Sequence, residues 1–250
     1  MKLITALLIS TLLAPAASAK TIRVLAWSER TEPANVYPEG INGVIATMLK
    51  DNKNVRVTVA NLSDPELGLS ESVLEQTDVL VWFGHRKHKE VSDEVVDRVV
   101  RHVMERGMGY LPLHSAHYAR PFQRLMVKRA EATGYKLASN PVGGWSGVSH
   151  PKVPQTIKVL APKHPVAKGI KDFVIPQDEM YVNPFNVPPP DVKVLEGVWE
   201  GGEQQGSDGM IWNMGKGRVF YFRPGHETYP VFQQPEVQQV LKNAVKWLAQ

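Results

Sequence analysis

Apolar and polar positions along the chain switch repeatedly between the period of a strand and that of a helix. Residues 21–27 form a strand pattern, and residues 55–59 alternate strictly with period two. Between them Ile41, Val44, Ile45, Met48 and Leu49 recur at helical spacing over residues 40–49. Residues 78–83 and 108–113 are short, nearly continuous apolar runs. Such runs suit strands buried on both faces, as in a parallel sheet covered by helices. Ser92 is placed to cap a helix whose Val95, Val99 and Val103 share a face and which Gly107 ends. Residues 218–222 form a further buried-type strand. Pro235 opens a last helix with Val237, Val240, Leu241, Ala244, Val245 and Leu248 on one side.

This alternation predicts an α/β fold with an open, mostly parallel sheet and helices on both faces. Residues 140–217 differ: they are rich in Gly and Pro and carry strand-like pieces at 156–160 and 192–198. They read as mixed strands and long loops extending the same sheet.

The N-terminus stands outside this pattern. Met1-Lys2, an apolar run from Leu3 to Leu13, Pro15 and Ala17-Ser18-Ala19 follow the order of a secretory leader with its cleavage site. The expected organisation is therefore a leader over 1–19 and one domain over 20–250. The expected location is the periplasm, with no membrane segment after cleavage. The chain has no Cys, which excludes a thiol nucleophile, disulfides and Cys-type zinc sites. Its net charge of +4 is mild and no Lys/Arg block appears, so nucleic acid is not an expected partner.

The chemistry collects at strand ends. Five of the eight histidines follow predicted strands: His85 and His88, His114 and His117, and His226. Glu29 follows the first strand and Glu227 follows His226. Ligands of open parallel sheets bind at the carboxyl ends of the strands, and imidazole both titrates near neutrality and ligates borderline metals. His102, inside a helix, reads as structural, and His164, before Pro165, as a turn residue. His88 and His117 read equally well as solvated loop residues. Ser115 sits on a strand-to-helix turn, but Leu113 and His117 stand where a nucleophile elbow needs glycines, which favours a helix N-cap.

Residues 79–88, Leu113-His114-Ser115-Ala116-His117, Gln177-Asp178-Glu179-Met180-Tyr181 and above all residues 215–230 resemble the ThuA-like (trehalose utilisation) family. Ser146 to His150-Pro151 and His164-Pro165 are weaker points of likeness. The resemblance implies a flavodoxin-like fold similar to class I glutamine amidotransferases and a role in catabolism of trehalose or 3-keto-glycosides. With no Cys, glutaminase chemistry is excluded whatever the fold. The expected site joins His114, His226, Glu179 and Glu227 as catalytic groups, with Trp27, Glu29, Tyr181 and Arg223 binding a sugar or keto-sugar. Trp145 would add stacking, and Arg86 and Lys87 hydrogen bonds. Two chemistries are open: a divalent metal (Zn or Mn) on His85, His114 and His226, or metal-free acid–base catalysis next to a 3-keto group. The rivals are a sugar-binding protein without catalysis and a hydrolase using Ser115, His226 and Glu227.

Overall fold

The structure is a computed structural model that describes residues 20–199, 201 and 208–250; the expected leader over 1–19 lies outside the described residues. Eleven strands and five helices follow one another among these residues. They are β1 Ile22–Ser28, α1 Gly40–Leu49, β2 Val55–Asn61, α2 Glu71–Glu75, β3 Val79–Phe83, α3 Asp93–Arg101, β4 Gly109–Leu113 and α4 Arg120–Thr133. Then come β5 Trp145–Ser149, β6 Gln155–Val159, β7 Phe173–Ile175, β8 Met180–Phe185, β9 Val192–Trp199, β10 Gly209–Met214, β11 Gly217–Phe222 and α5 Pro235–Leu248.

Nine strands form one sheet in the order β2-β1-β3-β4-β11-β10-β9-β6-β7. Pairings from β2 through to β11 are parallel, and those beyond β11 are antiparallel. The 140–217 region does extend the sheet, through β6, β7, β9 and β10. Two of its strands, β5 and β8, leave the sheet and pair with each other as a separate antiparallel ribbon.

Every residue of β3 and β4 is buried, because helices cover both faces. The period-two rule sorts their side chains. Val79, Val81 and Phe83 pack with Ile41 and Ile45 of α1 and Val237 and Leu241 of α5. Leu80 and Trp82 pack with Val95 and Val99 of α3 and Phe122 and Leu125 of α4. Ser92 caps α3 as expected, its hydroxyl accepting from the Val95 N–H. The helix runs on through a π turn to Gly107, whose positive φ of 82° closes it. Helix α4 goes beyond the expectation, which left its residues unassigned. Pro121 lies in its first turn, and Phe122, Leu125, Met126 and Ala130 form its buried stripe.

Register decides where the site lies. Ser28 pairs with Phe83, Phe83 with Leu113 and Leu113 with Phe222, so β1, β3, β4 and β11 end at one level. The residues that follow these four ends must meet at one edge of the sheet.

Candidate active site at the carboxyl edge of the sheet

The imidazoles of His85, His114 and His226 gather at that edge. Ring centroids lie 6.4 Å apart for His85–His114, 5.2 Å for His85–His226 and 5.5 Å for His114–His226. Each ring is placed by a different device. His114 is fully buried with φ 47°, a left-handed conformation that costs a non-glycine residue energy. The Tyr221 hydroxyl donates to its carbonyl at 2.9 Å. Its Nδ1 donates to the Arg223 carbonyl at 2.8 Å, and its Nε2 lies 3.0 Å from both Glu179 Oε2 and the Tyr181 hydroxyl. His85 rides on a turn pinned by Glu29, whose Oε2 accepts from the N–H groups of His85, Arg86 and Lys87 at 2.8, 2.8 and 2.9 Å. Gly84 is needed there, since a Cβ would stand 2.6 Å from Glu29 Oε1. His226 is held by Asp178, which accepts from the Gly225 and His226 N–H groups at 3.0 and 2.9 Å. Its Nδ1 lies 2.8 Å from Thr228 Oγ1.

Carboxylates and hydroxyls fill in around the rings. Ser115 Oγ lies 2.6 Å from His85 Nδ1 and 3.0 Å from the Tyr181 hydroxyl. Glu227 is buried, and among the described residues neither of its oxygens accepts a hydrogen bond from a neighbour. Its Oε2 stands 3.3 Å from His85 Nδ1 and 3.7 Å from His226 Nδ1. The exposed Arg86 guanidinium reaches Glu227 Oε1 only at 4.0 Å. The ribbon closes over this cluster. Glu179, next to β8, turns Oε1 to within 3.4 Å of Nε2 of His150, which follows β5 and is exposed.

Burial sets the charges. It pushes His85 down to about 4 and His226 down to about 3, with the neighbouring His114 adding to both shifts, so both rings are neutral at pH 7. Burial alone would raise Glu179, but the bond to His114 and its charge outweigh it and hold the carboxyl at about 2. Glu227, with no such bond, is raised by burial.

The cleft in front of the cluster holds about 260 Å³. Its lining includes His85, Ser115, Glu179 and Tyr181, together with Trp145 and the exposed Tyr118 and Val148. A larger hollow of about 450 Å³ lies at the opposite edge beside Thr21, Arg23 and Arg56, and has no such cluster. The chemistry, not the size, marks the smaller one.

Several expected contributors stand elsewhere. Trp27 is buried against Trp82 at 3.9 Å with its Nε1 donating to the Leu67 carbonyl, so it presents no face to a ligand. Arg223 is wholly buried: it bonds Asp208, Gln155 Oε1 at 2.6 Å and the Glu179 carbonyl at 2.7 Å, and ties the last strand to the ribbon. Glu29 spends one oxygen on backbone N–H groups and so fixes the turn that carries His85. Tyr181 is sandwiched between His114 at 5.0 Å and Trp145 at 5.6 Å, so its hydroxyl, not its ring, faces the chemistry. Trp145 in turn has one face on Phe185 at 4.0 Å. Ser115 caps no helix, because α4 starts after Ala119 with no side-chain cap. Nor does it meet His226: its bonds go to His85 and Tyr181, and Glu227 approaches the same His85 nitrogen that Ser115 uses. The geometry does not assemble a Ser115, His226, Glu227 triad.

His117 is not solvated either: it is buried among Tyr118, Tyr181 and Tyr221, its Nδ1 donating to the Gly143 carbonyl at 2.6 Å. His88 lies 3.4 Å from Glu29 Oε1. His102 pairs with Glu71 at 3.0 Å, and His164 caps the turn at Pro165. Asp178 and His150 were not singled out from sequence, although both lie in segments that carried the family likeness.

The family model described as trehalose utilisation (ThuA) matches residues 23–248. The chain belongs to the ThuA family. Solved structures agree in fold. A ThuA-like protein from Parabacteroides merdae has a TM-score of 0.67 at 17% identity, covering 92% of this chain and 90% of that chain. One from Bacteroides uniformis has 0.61 at 19%, covering 94% and 95%. A Salmonella typhimurium protein described as cytoplasmic has 0.58 at 12%, covering 91% and 99%. No curated protein matches the chain. The ThuA assignment therefore rests on a match that contains every residue of the cluster, from His85 to Glu227.

Proposed function

We propose that this ThuA-family chain is an exported enzyme that cleaves a 3-keto-glycoside in the cleft at the carboxyl edge. The observation that carries the reading is Glu227: a buried carboxylate that accepts no side-chain hydrogen bond and stands beside the imidazoles of His226 and of His85, which lines the cleft. A carboxylate so placed has a raised proton affinity and suits a general base. Glu227 takes the C2 proton, which the neighbouring C3 ketone acidifies. The C–H electron pair becomes the C1=C2 double bond, and the C1–O bond breaks with its electrons on the departing oxygen. That oxygen is protonated by the hydroxyls of Ser115 and Tyr181, 3.0 Å apart, which are replenished from solvent. The products are an enone and a free alcohol, and no oxidant is consumed. The imidazoles of His85, His114 and His226 fix the keto end; a divalent cation held there would act as a Lewis acid on the ketone. Export is part of the proposal, supported by the leader-type N-terminus and by a first strand that begins at Ile22, just beyond the Ala17-Ser18-Ala19 site.

The test is incubation of residues 20–250 with 3-keto-trehalose and with an aryl 3-keto-glucoside. Release of the C1 substituent is expected. A sugar-dependent thermal shift without release would replace the enzyme by a binding protein, and neither signal would remove the sugar reading.

A further inference from the structure

We infer that the histidine cluster is a divalent-cation centre and that the ribbon completes it with Glu179 and His150. The inference concerns the cleft of the sugar reading but rests on donor geometry, so each holds or fails by itself.

His85, His114 and His226 each offer one donor atom, and these atoms lie within 4.8 Å of one another. His150, Glu179 and His226 satisfy the same condition. Two nitrogens on one Zn²⁺ stand at most about 4 Å apart, twice a bond of roughly 2.1 Å. The first set therefore needs only small adjustments to bind. His226 belongs to both sets, so the ribbon donors adjoin the sheet donors at this residue.

The outer partners point the same way. In each of the three sheet histidines, Nδ1 is already engaged: with Ser115 Oγ in His85, the Arg223 carbonyl in His114 and Thr228 Oγ1 in His226. That leaves Nε2 open in His85 and His226, whereas in His114 it faces Glu179 Oε2 and the Tyr181 hydroxyl at 3.0 Å, which a bound cation would displace. Metal-binding histidines are ordinarily oriented in this way, by a bond from the other ring nitrogen.

Charge adds a third line. Glu179 and Glu227 both face the cluster, while among the described residues the Lys or Arg side chain that pairs with either of them is Arg86, exposed and 4.0 Å from Glu227. Two carboxylates around nitrogen donors leave a negative site that a dication balances. Glu179 is already shared, Oε2 toward His114 at 3.0 Å and Oε1 toward His150 at 3.4 Å. Three imidazoles and one carboxylate suit Zn²⁺ best among common divalent ions, with Mn²⁺ second.

The experiment strips the protein with chelator and titrates it with Zn²⁺ by calorimetry. Co²⁺ absorption then reports the geometry, and thermal unfolding is followed with and without Zn²⁺. One ion per chain and a Zn²⁺-dependent rise in Tm are expected. His226→Ala should weaken binding at least 100-fold, and His150→Ala about 10-fold with stoichiometry kept. His102→Ala, outside the cluster, should leave binding unchanged. Should His226→Ala fail to fold, the more exposed His85→Gln carries the same expectation. Absence of stoichiometric binding by wild type, or affinity equal to wild type in the His226 and His85 variants, would overturn the centre whatever the outcome with keto-sugars.

Discussion

At the scale of the residue, the same side-chain type does different work according to what surrounds it. His85, His114 and His226 form one cluster; His102 is hydrogen-bonded to Glu71; His117 donates to a carbonyl inside an aromatic box. Placement after a strand was readable from sequence, but burial was not, and burial separates His117 from His114. Trp27 and Arg223 show the same limit. Trp27 shares the strand face of Leu25, both packed in the layer of α3 and α4, so the period-two rule already pointed it into the core. Arg223 needed partners from residues 155, 178 and 208, which no local pattern joins.

Two outcomes follow at this scale. Replacing Glu29 by Ala removes the acceptor for three successive N–H groups. It should lower stability by about 3 kcal/mol in urea unfolding and loosen the turn that carries His85; a change within error would deny Glu29 its positioning role. Burial holds His117 neutral, down to about 3 against 6.5 in the unfolded chain. Its unfolded form binds a proton first, so stability is full above pH 6.5 and is lost as pH falls towards 3. His117→Asn, which keeps a donor for the Gly143 carbonyl, should flatten the pH–stability curve in that window; an unchanged slope would count against this.

At the scale of the element, the buried strands and helices α1, α3 and α5 were legible because one periodicity dominates each of them. Helix α4 went unassigned although Phe122, Leu125, Met126 and Ala130 have helical spacing, because His-Ser-Ala-His and Arg-Pro drew its start into the loop. The ribbon was harder to foresee: β5 and β8 are 30 residues apart, and strands that leave a sheet look locally like strands that stay. Helix α4 supports the ribbon directly, since Phe122 stacks on Phe185 of β8 and lies against Trp212 and Tyr221. Phe122→Ala should cost about 4 kcal/mol by the cavity it leaves. It should also make the 145–149 segment more open to protease, whereas protease resistance equal to wild type would show the ribbon held by other contacts.

At the scale of the whole molecule, the level ends of β1, β3, β4 and β11 explain why the histidines gather at this edge, and the β5–β8 ribbon explains how they are roofed. The parallel half supplies His85, His114 and His226 from three strand ends; the segment after β7 and the ribbon supply Asp178, Glu179, Tyr181 and His150. The carboxyl-edge rule for open sheets made the first group foreseeable, and the histidines following three strands made it chemically specific. The second group came into reach only through pairing between distant strands. Fold and register thus set where these groups meet, while the chemistry proposed for them turns on the buried carboxylate of Glu227.

The most direct measurement is exchange of the C2 proton of a 3-keto-glucoside in D₂O, followed by NMR. The account predicts rapid enzyme-dependent loss of the C2–H signal with wild type, slowed at least 100-fold in Glu227→Gln. A C2–H signal that persists at the uncatalysed rate, or a Gln variant that exchanges it as fast as wild type, would contradict the account.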